Sequence, residues 1–128
     1  MRAGFVVSCA LALGLLSALG LAQTPGDSTR GRALYESRCI GCHSIDGNRV
    51  GPAHRGVFGR RAGAAPDYEY SAALRDAMLL WSEENLDRWL SNPEALMPGQ
   101  KMIYRVAGAE DRSDLIAYLR AVSSDGAR

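Results

Sequence analysis

The sequence predicts an all-α domain of helices and loops. Three observations predict it. Apolar residues recur at helical spacing in stretches that also carry capping residues. No segment alternates polar and apolar side chains as a half-buried strand does. A glycine-rich stretch too long for an ordinary connection follows the first helix, and such a stretch fits a compact domain only if it wraps something.

The first segment stands apart from the rest. After Arg2, residues Phe5 to Ala22 run eighteen positions without a charge and end in small residues, with Gly20 and Ala22 where a signal peptidase reads. Residues 1–22 are therefore expected to be a cleaved secretory signal, which places the mature protein outside the inner membrane, in the periplasm. The alternative is an uncleaved membrane anchor, because a run of this length can just span a bilayer. Cys9 has too few apolar residues before it for a lipoprotein signal. Loss of residues 1–22 removes Arg2 and no acid, so the fifteen basic and fourteen acidic residues of the whole chain come into balance. A formally neutral protein of this kind is not expected to bind nucleic acid, which requires a basic face.

Residues 23–30 form a short polar lead-in, in which Asp27 and Ser28 are available as a helix cap. Ala33, Leu34 and Tyr35 suit a short helix from about Arg30 to Arg38. Residues 44–66, with Gly47, Gly51, Gly56, Gly59 and Gly63, read as loop. A short helix fits residues 71–78. Ser82, Glu83 and Glu84 supply a cap and first-turn acids for another, with Leu86, Trp89 and Leu90 at i, i+3 and i+4 and Pro93 as its stop. After a Pro-Gly loop, Glu110 and Asp111 open a last helix with Leu115, Tyr118, Leu119 and Val122 on one face. The expected domain spans residues 31–123, followed by a tail at 124–128.

The stretch that carries chemistry is CIGCH, residues 39–43. Cys39 and Cys42 are spaced to add one sulfur to each of two haem vinyl groups, while the adjacent His43 turns its imidazole to the iron. Three rivals are weaker. A redox-active dithiol belongs in a strand-helix-strand setting that is missing here. A zinc site would need Cys39, Cys42, His43 and His54 together, with His54 folded back over the intervening loop. A disulfide between Cys39 and Cys42 closes too small a loop to stabilise much. A covalently attached haem c also suits an oxidising compartment and leaves no unpaired cysteine in the mature chain.

With His43 on one side of the iron, the sixth position decides function. An open position means gas or peroxide chemistry, and a second protein ligand means electron transfer. His54, Met78, Met97 and Met102 are the candidates. Met97 and Met102 flank Pro98-Gly99 in a loop between two helices, free of helical constraint; Met102 is favoured and Met97 is its main rival. No Ser-His-Asp or Cys-His constellation is supported, and the protein is not expected to be an enzyme.

In order along the chain, CIGCH, GPAHRGVFGR at 51–60, NPEALMPGQKM at 92–102 and DLIAYL at 114–119 resemble the class I c-type cytochromes of the mitochondrial type and their bacterial periplasmic relatives. The resemblance covers about Gly31 to Val122. It implies the small cytochrome c fold, three to five helices and loops around one haem. It implies that the Pro52 carbonyl accepts a hydrogen bond from His43, that Met102 and not Met97 is the axial methionine, and that Arg60, Tyr70 and Trp81 bind a haem propionate. It also implies that Gly31 and Tyr35 meet Leu115 and Tyr118 where the first and last helices cross.

Three positions depart from the family pattern. His54 stands where a leucine usually packs against the proximal haem face, and is expected to be a partly exposed packing residue. Trp89 replaces a tyrosine near the methionine sulfur, and Gln100 replaces a threonine in the same loop. The implied function is a periplasmic one-electron carrier with His43 and Met102 as iron ligands, monomeric and meeting transient redox partners. The expected docking patch lies on the side of Cys39 and Cys42, with Lys101, Arg49, Arg55 and Arg105 as steering charges. The alternatives are a haem subunit of a periplasmic dehydrogenase or oxidase, and a sensor or peroxidase-like protein with a labile sixth ligand.

Overall fold

A computed structural model describes Met1 and residues 25–125. The expected signal beyond Met1, Cys9, the start of the polar lead-in and the last three residues of the tail lie outside the described residues. Among the described residues five helices form: α1 at Ser28–Arg38, α2 at Ala72–Arg75, α3 at Glu83–Ser91, α4 at Pro93–Leu96 and α5 at Ala109–Asp125. No strand occurs among the described residues, as the sequence led us to expect.

Helix α1 starts at Ser28 because the Asp27 carboxylate accepts hydrogen bonds from the backbone N–H groups of Thr29 and Arg30. These bonds, made to the charged form, hold the Asp27 carboxyl below its ordinary pKa. α1 packs across α5. A Cβ at Gly31 would stand 1.9 Å from the Asp114 carbonyl oxygen and 2.9 Å from Tyr118 Cβ, so only glycine permits the crossing. Asp114 is itself buried there and accepts both the Asp27 N–H at 2.6 Å and the Arg30 guanidinium at 2.8 Å. The core is made by Tyr35 of α1, Trp81, Leu86, Trp89 and Leu90 around α3, and Leu115, Ile116 and Leu119 of α5.

One expectation about helices is corrected, and another holds but is incomplete. The helix expected over 71–78 stops at Arg75, because the following backbone pairs with the glycine-rich loop. Ala62 N–H donates to Leu79 O, Trp81 N–H to Arg60 O and Gly59 N–H to Trp81 O. Pro93 ends α3 and also opens α4: Asn92 closes the first helix with its backbone N–H and caps the second with its side chain, while the missing proline N–H costs nothing at a first helical position.

Candidate functional site

The last turn of α1 continues through the CIGCH stretch. Cys42 N–H and His43 N–H both donate to Cys39 O, at 3.1 and 2.9 Å, so the two thiols and the imidazole are held on one short turn. Cys39 is half-buried, Cys42 is exposed, and no disulfide joins them. Burial pushes the Cys39 thiol up to about 11.

The glycine-rich loop then returns under the imidazole. His43 Nδ1 lies 2.9 Å from the Pro52 carbonyl oxygen. A carbonyl can only accept, so Nδ1 carries the proton and the neutral ring keeps its lone pair on Nε2. Burial lowers the His43 pKa and so favours the neutral ring, while the Pro52 bond opposes that shift but fixes the tautomer whose Nε2 is free to ligate.

Met102 lies in the loop after α4. Residues 97–100 turn tightly, with Gly99 at φ +87° and Gln100 N–H donating to Met97 O. Glu94 clamps this turn by accepting from Gly99 N–H at 3.1 Å and Gln100 Nε2 at 3.2 Å. Gln100 Oε1 in turn accepts from Met102 N–H. Trp89 Nε1 stands 3.2 Å from Met102 Sδ, so the indole N–H donates to the thioether. Met97 and Met102 both pack against the core, whereas Met78 is 86% exposed and is unsuited to hold a buried metal.

Of the three residues matched to the propionate positions, Arg60 and Trp81 are joined by the 59–62 and 79–81 pairing, and Tyr70 is tied to the same glycine-rich loop through Ala65. Arg60 donates to Arg55 O and Ala53 O through its two terminal nitrogens, but its buried Nε has no partner among the described residues. The Tyr70 hydroxyl accepts from Ala65 N–H, leaving its own proton to donate. Trp81 is buried with its ring edge-on to Trp89. A buried donor without an acceptor costs on the order of 1–3 kcal/mol, and a carboxylate supplied by a bound group would remove that cost. With the paired thiols, the Nε2 lone pair and the fixed thioether, these residues fit a haem.

His54 is half-buried, and it lies much closer to His43 than packing alone required. Its ring stacks on His43 with centroids 4.1 Å apart and planes 21° from parallel, and its Nδ1 meets the Tyr35 hydroxyl at 3.0 Å. Burial keeps its pKa well below the ordinary value. The zinc alternative loses support: among the described residues, no group of three or more His, Cys, Asp and Glu is disposed to hold a metal ion.

Sequence reasoning missed the Glu94 clamp and the Tyr35–His54 bond. The only signal for the second was the presence of two polar rings at positions assigned to packing. Among the steering charges, Arg55 is engaged by Asp46, Arg49 donates to Ile40 O and Lys101 reaches Glu69 O, while Arg105 is exposed.

Residues 28–123 match the family model described as Cytochrome c. A cytochrome c of Euglena viridis is 42% identical over 100 residues, covering 76% of this chain and 98% of the relative. One of Theileria parva is 43% identical over 103 residues, covering 77% of this chain and 89% of the relative. Among solved structures, cytochrome cH from Methylobacterium extorquens aligns with a TM-score of 0.72 at 36% identity, over 75% of this chain and 99% of its own.

Proposed function

This chain belongs to the cytochrome c family, electron carriers with a single haem c held through a cysteine pair, and from that premise we propose a periplasmic carrier whose iron is ligated by His43 and Met102. It is an electron-transfer protein and not an enzyme. The haem, when bound, supplies the one-electron couple of ferrous and ferric iron. Cys39 and Cys42 tether it, and His43 is held ligand-ready by Pro52. Arg60, Tyr70 and Trp81 are assigned to a propionate, whose buried charge needs such donors.

The observation that carries the reading is the Trp89–Met102 contact. A thioether fixed by an indole N–H and by the Gln100–Glu94 clamp would be retained as a ligand once haem is bound, and such a ligand would leave electron transfer as the chemistry. Thioether ligation favours ferrous iron and so raises the reduction potential relative to two histidines.

Residues 1–22 act in this reading as the cleaved signal, and 31–123 form the haem domain, a monomer. No helix among the described residues is long and apolar enough to cross a membrane. Ile40, between the two cysteines, and Ile103 and Tyr104, just after Met102, are exposed. They form the apolar part of a small, transient docking patch.

The test is an absorption spectrum of the protein from a periplasmic extract, oxidised and reduced, with carbon monoxide added to the reduced form. A low-spin c-type spectrum indifferent to the gas supports the carrier. A shift on adding it means a labile sixth ligand and the sensor or peroxidase-like reading. The mass of the purified holoprotein settles whether residues 1–22 are removed.

A further inference from the structure

We propose that His54, held by Tyr35, is a positioning residue that fixes the rotation of the proximal His43 ring about its axis to the metal. The proposal rests on His43 being the proximal ligand. The Pro52 hydrogen bond selects the tautomer and the tilt of that ring. That bond holds the ring by one edge, with its acceptor displaced from the axis that runs from Nε2 through the opposite ring bond, so it restrains rotation about that axis from that edge alone. A flat group pressed on the ring face acts on that rotation directly. His54 is such a group, nearly parallel to His43 at 4.1 Å.

The orientation of His54 is determined by its surroundings. Its backbone N–H donates to Ser44 O at 3.0 Å, next to the CIGCH turn. At the ring, Nδ1 bonds the Tyr35 hydroxyl, and Tyr35 is 2% exposed with its ring tilted against Tyr118 at 5.3 Å. Burial pushes the Tyr35 phenol up, so the hydroxyl keeps its proton over the working pH range. The crossing of α1 and α5 is thereby linked to the proximal ligand through Tyr35 and His54. An aliphatic side chain at position 54 would fill the space, but it offers no flat face and no acceptor for Tyr35.

The readout is the pattern of haem-methyl proton resonances in the ferric holoprotein, which in low-spin haem depends on the direction of the axial imidazole plane. Wild type is compared with His54→Leu, Tyr35→Phe and His54→Phe, and thermal unfolding is measured in parallel. We expect His54→Leu to contract the spread of methyl shifts as the ring gains rotational freedom. Tyr35→Phe should move the spread in the same direction by less, and His54→Phe should restore most of it by returning a flat face. An unchanged methyl pattern in His54→Leu or, if that variant does not fold, in Tyr35→Phe overturns the proposal while leaving His43 ligation standing. A wild-type spectrum without the far-shifted methyl signals of low-spin ferric haem overturns the ligation as well.

Discussion

Gly51 lies so close against the imidazole of His43 that a Cβ in its place would stand 2.2 Å from Cε1 and 2.7 Å from Nε2. The glycine cannot retreat, since its N–H donates to Cys42 O and its carbonyl accepts from Arg49 N–H. Gly51→Ala is therefore expected to push the ring away from the metal axis. The yield of haem-loaded protein should fall, and the ferric spectrum of what remains should move from low spin toward high spin. A low-spin spectrum at wild-type yield would show that the ring has room to spare.

The two loop methionines should differ in one measurement. Met102→Ala should make the reduced protein bind carbon monoxide and lower its reduction potential, while Met97→Leu leaves both at wild-type values. Gas binding in the Met97 variant and none in the Met102 variant would reverse the assignment.

Trp89→Phe removes a hydrogen bond to the thioether. An N–H donor draws electron density from sulfur and weakens its donation to ferric iron, so its loss should lower the potential. A neutral hydrogen bond is worth about 1 kcal/mol, which sets a ceiling of about 40 mV for a one-electron couple. Electrochemical titration of both proteins gives the comparison, and a potential that rises instead would refute the argument.

Gly31→Ala should destabilise the whole domain, because the new methyl meets the Asp114 backbone and not a flexible side chain. Overpacking of this kind costs about 1–3 kcal/mol, read as a lower urea midpoint at unchanged slope.

Steering by exposed cations predicts a salt effect. With Arg55 engaged by Asp46, the remaining cations are Arg49, Lys101 and Arg105. The second-order rate with an acidic redox partner should fall about tenfold or more from low salt to 0.5 M. A flat profile would mean that docking depends on the apolar patch alone.

Much of this was legible in the sequence because its signals are local. The CIGCH pentad is contiguous, α3 announces itself by its cap and periodicity, and α5 by its first-turn acids and apolar face. The loop that carries Met102 is marked by Pro98-Gly99. The pairing of 59–62 with 79–81 was not legible, since it is set by backbone bonds between distant segments that no periodicity records. Asn92 was missed for another reason: a proline read as a stop serves equally as a first helical residue. Tyr35 and His54 each look like packing residues in isolation, and only the fold places nitrogen against hydroxyl.

The anchoring of Asp27 to Asp114 bears on how the protein can be handled. The cysteines follow the C-terminal end of α1, and the helix holds that end roughly 16 Å from the point where the preceding chain joins. A tag, a surface linker or a fusion partner attached before Pro25 would thus leave the haem-bearing end facing outward. The domain is suited to immobilisation on an electrode by its N-terminal side, with the attachment point a helix length away from the cysteines.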